Sequence, residues 1–209
     1  MERIEQYLKE YVQQMMTTDP AHDLSHIERV VLAAKQFAHQ ESAKLEVIIP
    51  AAWLHDCVSL AKDHPQRHCA SRLAAKEAIR FLRSVDYPEQ YYAEIEHAIE
   101  AHSYSANISV RTLEAAIVQD ADRIDALGAI GIARCIQVGT SFKASLYSDE
   151  DPFCETRTYN DKLFTVDHFY TKLFKLQDTM NTPAARQEAL KRTEYMKGFL
   201  TQLRHEIQG

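Results

Sequence analysis

The residues best suited to chemistry are the adjacent pair His55-Asp56, which interrupts the apolar run Ile48–Val58. Burying a polar or charged group without a partner costs several kcal/mol, so something must offset that cost. A metal ion would do so, because imidazole and carboxylate groups are both common metal ligands. The alternative is a histidine bonded to a backbone carbonyl beside an aspartate in a salt bridge.

Two further segments could complete such a site. The upstream segment is Asp23–His26, and its histidine falls in the first turn of a predicted helix, at the edge of the buried face. The downstream segment is Asp120–Arg123, in which Asp122 is expected to face the site and Asp120 to be solvated or paired with Arg123. An ordinary helix-start histidine and an exposed acidic face are the alternatives. Together the three segments suggest a metal site that hydrolyses phosphate esters.

Basic residues near the pair are candidates for contacting substrate. Lys62, His64, Arg67 and His68 follow the pair closely and could bind phosphates, although a solvated loop would have the same composition. Lys143, in a later polar loop, could also neutralise a phosphate.

Two other side chains are candidates for supporting the chemistry. His102 ends a predicted helix and could line the site, although the helix dipole alone favours a positive imidazole there. Asp125 follows Asp122 by about one turn and could orient a water or a ligand.

The bulk properties exclude several classes of protein. The 209 residues carry a net charge of −6, which argues against binding DNA or RNA polymers or an anionic membrane surface. No run of about 18 apolar residues is present, so no membrane span is predicted. The four cysteines form no CxxC pair and are interpreted as reduced, in a cytoplasmic protein.

Helical periodicity dominates the chain and predicts an all-α fold. The expected helices cover about 4–16, 25–40, 46–61, 71–83, 88–102, 109–124, 166–176 and 183–207, with Thr182-Pro183 starting the last one. Residues 140–162 are polar and are expected to form a long loop, a common place for a lid.

One domain over residues 1–209 is predicted, because no linker, repeat or low-complexity tract interrupts it. Its core would cover about 20–140, and a helical extension would cover about 163–209. Nothing in the sequence determines the oligomeric state, and a homodimer is one option.

The order of these motifs resembles that of the HD-domain metal-dependent phosphohydrolase superfamily. The resemblance is carried by His26–Val30 (H-x-x-R-V), Ala52–Asp56 (A-x-L-H-D) and Asp120–Ala126 (D-A-D-R-I-D-A). Leu127–Arg134 and Asp167–Leu173 are similar to a bacterial subfamily of small stand-alone HD hydrolases, some of which are nucleotide pyrophosphohydrolases. With that subfamily the resemblance extends over nearly the whole chain.

The resemblance implies an all-α HD domain in which His26, His55, Asp56 and Asp122 bind one divalent transition metal. A mixed nitrogen and oxygen set suits manganese first, with nickel, cobalt, iron or zinc as alternatives. The ion would activate a water to attack a small phosphorylated substrate, expected to be a nucleotide, and Asp56 could accept a proton from that water.

One departure from the family pattern limits the mechanism. Some HD nucleotidases carry a glutamate three positions after the HD aspartate, where this chain has Ser59, which cannot serve as their acid or base. Three alternatives stay open: a catalytically silent nucleotide sensor, a related phosphodiesterase, and an oxygenase with a second iron on His64, His68 and His102.

Overall fold

The computed structural model describes residues 2–15, 24–58, 60, 69–103 and 106–208. Within these ranges the chain forms nine α-helices and no strand, only an isolated bridge between Ser145 and Phe164. The predicted all-α class is therefore confirmed. The chain divides into two compact units, Met1–Asp122 and Arg123–Gly209. The prediction of a single domain stays a prediction.

The first unit is built around one short apolar helix. Its elements are α1 (Glu2–Met15), α2 (Leu24–Glu41), α3 (Leu45–Leu54), α4 (Ala70–Ser84), α5 (Tyr92–His102, after a 3₁₀ turn at Glu89–Tyr91) and α6 (Leu113–Ile124), whose last two residues belong to the second unit. α3 packs against α1, α2, α4 and α5, and Val47–Leu54 are buried without exception. A helix surrounded on all sides is apolar all round, which explains its composition.

The second unit contains α7 (Gly128–Ser141), α8 (Thr165–Thr171), a 3₁₀ segment (Leu173–Thr179) and α9 (Pro183–Gln208). α9 begins as predicted, with Pro183 as its first residue. The Thr182 hydroxyl accepts a hydrogen bond from the backbone N–H of Ala185 at 3.3 Å, as an N-cap should. None of the helices in the described ranges has the length and apolar content needed to cross a bilayer.

The helix predicted at 46–61 is shorter in the structure. α3 ends at Leu54, and the next residues form a turn in which the N–H of Cys57 bonds to the carbonyl of Leu54 at 3.2 Å. The Cys57 thiol also donates to the carbonyl of Ala74 on α4, at 3.5 Å. The chain leaves the helix to make these contacts. His55 is therefore the C-cap of α3, and Asp56 lies in the turn that follows, so the pair is at the end of the helix rather than inside it.

α7 is absent from the predicted helices, and its glycines have structural reasons that only packing and backbone conformation reveal. A Cβ at position 131 would lie 2.3 Å from the carbonyl oxygen of Ala126, so only glycine fits that close approach. Gly128 has φ of +74°, a conformation that other residues rarely adopt. These glycines start the helix and let it pack, and they do not interrupt it.

The long loop is confirmed and covers residues 142–164. The Asp151 carboxylate accepts N–H bonds from Glu155 and Thr156 at 2.9 and 2.8 Å. Arg157 donates to both carboxylate oxygens of Asp167 on α8, at 2.6 and 2.7 Å. Within the second unit the loop is therefore pinned by charge-assisted hydrogen bonds, and a lid role for it stays a prediction.

Candidate metal centre

The first unit brings the four predicted ligands together with His102. His26 lies in the first turn of α2, and His55-Asp56 follow the end of α3. His102 is the last residue of α5, and Asp122 lies in the last turn of α6. Because α3 packs against α2 and α5, its C-terminal end meets residues from both.

The distances in this cluster leave space for an ion. His26 Nε2 lies 3.4 Å from Asp122 Oδ1, and His55 Nε2 lies 3.7 Å from Asp56 Oδ2 and 4.0 Å from Asp122 Oδ1. These separations exceed the roughly 2.7–3.2 Å of a good N–H···O hydrogen bond. Two ligand atoms about 2.1 Å from one ion lie about 3.0–4.2 Å apart, which is the range observed.

The most compact part of the cluster is a trio. Ligand atoms of His26, His55 and Asp56 all lie within 4.8 Å of one another, and among the described residues this is the group that could hold a metal ion. Asp122 is outside that trio but closes it from the side of the two histidines. Its side chain is 30% exposed and that of Asp56 is 22% exposed, so the cluster has an opening to solvent.

Two of the histidines are oriented by the same device. The Nδ1 atom of His55 bonds to the carbonyl of Ala52 at 2.8 Å, and the Nδ1 atom of His102 bonds to the carbonyl of Ile99 at 2.6 Å. A carbonyl oxygen only accepts, so each Nδ1 carries a proton, and Nε2 is the ring nitrogen that faces the carboxylates. His102 Nε2 lies 3.5 Å from Asp56 Oδ1. Metal-binding histidines are commonly held by such a bond to their second nitrogen.

The Nε2 atom of His55 is the clearest sign of a missing group. His55 is fully buried, and this atom has no hydrogen-bond partner among the described residues. An unsatisfied buried polar atom costs about 1–3 kcal/mol. His55 does bond to a backbone carbonyl, as the alternative expected, but only through Nδ1. Its Nε2 still faces the carboxylates of Asp56 and Asp122. A divalent cation fits this donor set, because neutral imidazole and carboxylate are both ligands of first-row metals.

The electrostatics of the cluster favour an ionised Asp122 and separate the two carbonyl-bonded histidines, His55 and His102. Burial is the main cause that lowers the pKa of His55, against the opposing charge of Asp56. Burial raises the pKa of Asp122, but the His26 hydrogen bond and the nearby histidines outweigh it and hold the pKa below its usual range. For His102, burial is outweighed by the hydrogen bond to Asp56 and by the two carboxylates, which raise its pKa.

Several predicted residues lie elsewhere or outside the described residues. Lys62, His64, Arg67 and His68 are outside them, as are Asp23 and Ser59, and their predicted roles stay predictions.

Two predicted residues belong to the second unit. Lys143 is exposed, with φ of +59°, and Asp125 is buried in an ion pair with Arg134 at 2.5 Å. Their predicted roles in the site stay predictions.

The expectation that the Asp120 side chain is solvated is wrong, because that side chain is fully buried.

A carbonyl-bonded histidine was an expected alternative at position 55, but the carbonyls of Ala52 and Ile99 were not predicted as partners. The last carbonyls of a helix lack intrahelical partners, so a histidine at a helix end can use one of them. For His102 that position was visible in the sequence. For His55 it was hidden, because the helix was predicted to continue past it.

This arrangement of helices, with a His and His-Asp cluster between them, is that of an HD domain. The family model described as HD domain matches residues 23–127, about half of the chain. The chain belongs to the HD-domain family.

Particular relatives match over almost the full length. YpgQ of Bacillus subtilis is 30% identical over an alignment of 207 residues that covers 97% of this chain and 93% of YpgQ. A crystal structure of YpgQ in complex with ADP has a TM-score of 0.76 at 28% identity, covering 99% of this chain and 96% of that one. An HD-superfamily hydrolase from Bacillus thuringiensis has a TM-score of 0.77 at 33% identity, covering 98% and 97%.

Proposed function

We propose that this protein is a metal-dependent hydrolase that cleaves a phosphoester or phosphoanhydride bond in a small substrate, a nucleotide. The observation that carries the proposal is the buried, unpartnered Nε2 of His55, which faces Asp56 and Asp122. Membership of the HD-domain family supports it, as does a relative described as a hydrolase. The nucleotide is suggested by ADP in the YpgQ complex.

His26, His55, Asp56 and Asp122 would hold one divalent ion, with manganese the first to test and nickel, cobalt, iron and zinc as alternatives. When bound, such an ion supplies Lewis-acid chemistry, lowering the pKa of a water and polarising a phosphoryl oxygen. Histidine ligands must be neutral, and burial favours the neutral form of His55 by lowering its pKa, while the Nδ1 bond to Ala52 leaves Nε2 as the nitrogen that can bind the ion.

Asp56 is proposed to accept the proton of the attacking water. Its two oxygens face different rings: Oδ2 lies toward His55 and Oδ1 lies toward His102. His102 Nε2, 3.5 Å from Oδ1, is placed to orient the carboxylate and to share that proton. Because Asp56 and Asp122 are partly exposed, substrate and water can reach this side of the cluster.

The test combines metal analysis with turnover. The full chain is loaded with Mn²⁺, Co²⁺, Ni²⁺, Fe²⁺ or Zn²⁺, the retained metal is measured by elemental analysis, and a panel of nucleotides is assayed for released phosphate and pyrophosphate. About one equivalent of metal with metal-dependent turnover is expected. The proposal would be refuted if the protein retained no metal and turned over no nucleotide.

A nucleotide-binding module without catalysis is the second candidate, and the ADP complex of YpgQ favours it. Tight nucleotide binding by a metal-loaded protein that releases neither product would support it over the hydrolase. Asp56→Asn separates the two candidates. At the same nucleotide concentration, the variant of a hydrolase shows less turnover than the wild-type protein, whereas for a sensor neither protein shows turnover.

A further inference from the structure

The end of α5 is held by a side chain from another helix of the first unit. The side-chain amide of Gln119, on α6, donates from Nε2 to the carbonyl of Ala101 at 2.7 Å, and both residues are buried. Ala101 lies in the last turn of α5, where the carbonyls lack partners within the helix. This hydrogen bond therefore caps α5 from outside and ties it to α6.

The capped carbonyl belongs to the peptide unit that also contains the backbone nitrogen of His102. Because a peptide unit is planar, the bond to the Ala101 carbonyl fixes the orientation of that nitrogen as well. The His102 ring is fixed separately, by the bond from Nδ1 to the carbonyl of Ile99 at 2.6 Å. The backbone and the ring of His102 are thus both restrained, and Nε2 lies 3.5 Å from Asp56 Oδ1.

The same glutamine lies one turn from a predicted metal ligand. Gln119 precedes Asp122 by three residues on α6, which places the two residues on neighbouring positions of one helix surface, about 4.5 Å apart along the axis. Asp122 Oδ1 lies 3.4 Å from His26 Nε2 and 4.0 Å from His55 Nε2. The Gln119 bond therefore fixes where α6 meets α5, close to the point at which Asp122 enters the cluster.

The chemistry of the Gln119 amide excludes a role as a ligand for this nitrogen. A carbonyl oxygen only accepts, so the nitrogen that faces Ala101 is the donor, and an amide nitrogen has no lone pair to offer a cation. Metal ligands function when neighbouring groups hold them within about 0.5 Å of the required geometry. A buried donor between two residues of the cluster is suited to that supporting task.

We propose that Gln119 is a positioning residue for the metal centre, because it ties the peptide unit of His102 to the turn of α6 that carries Asp122. Without its hydrogen bond, the end of α5 relaxes and the His102 ring moves relative to Asp56. The consequence for metal affinity rests on the proposed function, whereas the effect on the His102 ring does not.

The first test uses the metal-free full chain. Gln119→Met removes the donor and keeps an unbranched side chain with good helix propensity. Long-range ¹H–¹⁵N spectra of the imidazoles report on His102. In the variant its Nδ1 proton should exchange with solvent about tenfold faster, the effect of one lost hydrogen bond on local opening. A His102 ring that is unchanged in Gln119→Met would overturn the inference, whether or not the protein binds a metal.

Glu114→Met is the matched control on the same helix. Glu114 is buried like Gln119, and its Oε1 accepts a hydrogen bond at 3.3 Å from the backbone N–H of Lys44, the N-cap of α3. It lies about two turns before Asp122. Both variants lose a buried hydrogen bond, so both should have a lower thermal midpoint, but the His102 ring should change only in Gln119→Met. Equal changes of the ring in both variants would assign Gln119 to overall stability and contradict the proposal.

The second test measures the effect on the ion. Mn²⁺ is titrated against a competing chelator, and the visible absorption of bound Co²⁺ reports the ligand geometry. Gln119→Met should weaken Mn²⁺ binding by about 3–10-fold, less than the loss of about 10–100-fold that is usual for a group in contact with a ligand. It should also shift the Co²⁺ spectrum, and Glu114→Met should do neither.

The two tests fail in different ways. A Gln119→Met protein with the Mn²⁺ affinity and Co²⁺ spectrum of the wild-type protein would contradict the positioning role. A wild-type protein that binds neither ion would refute the proposed metal centre, and with it the consequence for metal affinity. The His102 measurement would then still decide whether Gln119 holds the end of α5 as inferred.

Discussion

Carboxylates in the two units have opposite surroundings. In the second unit, fully buried Asp167 receives two hydrogen bonds from Arg157 at 2.6 and 2.7 Å and one from the N–H of Asn160 at 2.6 Å. In the first unit, Asp56 and Asp122 face histidines at 3.4–4.0 Å. The first arrangement is closed by the protein itself, and the second is open to a further group.

The difference follows from the cationic partner. Arginine is always charged and only donates, so it satisfies the carboxylate by hydrogen bonds and offers no lone pair of its own to a metal. Histidine can be neutral, and its second nitrogen then becomes a ligand. The arginine pairs therefore hold the fold, and the histidine cluster is suited to chemistry.

The largest effect expected is on the arginine side. Arg157→Ala leaves Asp167 buried and unpaired, which should lower the free energy of unfolding by about 3–5 kcal/mol. Chemical denaturation measures it, and Arg204→Ala, an arginine paired at the surface with Glu155, is the control. If the free energy of unfolding fell as little in Arg157→Ala as in the control, the Arg157–Asp167 pair would not stabilise the fold as proposed.

On the histidine side, Asp56→Asn should abolish metal retention while leaving the metal-free protein folded. Because ligand binding stabilises only the folded state, Mn²⁺ at about 100 times its Kd should stabilise the wild-type protein by about 2.7 kcal/mol and the variant hardly at all. Thermal unfolding with and without Mn²⁺ measures both. Severe destabilisation of the metal-free variant would show that the cluster is structural, like the arginine pairs.

His102→Gln should have an intermediate effect. The loss of the ring that faces Asp56 Oδ1 is expected to weaken metal affinity by about 10–100-fold, the usual range for a group that orients a ligand. Metal titration with a competing chelator measures it. His97→Gln, on the same helix but bonded to Arg111 instead, should leave metal affinity unchanged. Equal losses of metal affinity in the two variants would show that His102 does not orient Asp56 at the metal site.

The smallest effect concerns pH and His97 itself. Its pKa is lowered by burial and by the charge of Arg111, against the weaker influence of Glu100. The backbone N–H of Arg111 donates to its Nε2 at 3.1 Å, so the folded state requires the neutral ring. A histidine with a folded pKa below its unfolded value contributes full stability above the unfolded pKa of about 6.5, and that stability is lost as the pH falls below it.

His97→Gln should therefore flatten the decline in unfolding free energy between pH 7 and pH 5, relative to the wild-type protein. Urea denaturation at each pH measures the difference. An identical decline in both proteins would assign the acid sensitivity to other groups.

Much of the secondary structure was predictable because it is local. Helix α9 was expected at 183–207 and covers Pro183–Gln208, since proline and threonine signals stand at its start. α2 was likewise predicted within one residue at each end. α7 was missed, because whether a glycine breaks a helix or allows close packing depends on the neighbour, here Ala126.

The candidate ligands were recognisable by residue type and order, and the structure brings them together. The helical class and the supply of imidazole and carboxylate groups follow from the amino-acid sequence alone, since both depend on composition and local pattern. Tertiary packing was needed to show that α3 stops at Leu54 and that His102 meets Asp56 in the cluster. These features depend on contacts between helices distant in sequence, and such contacts select among conformations that local propensity leaves equally open.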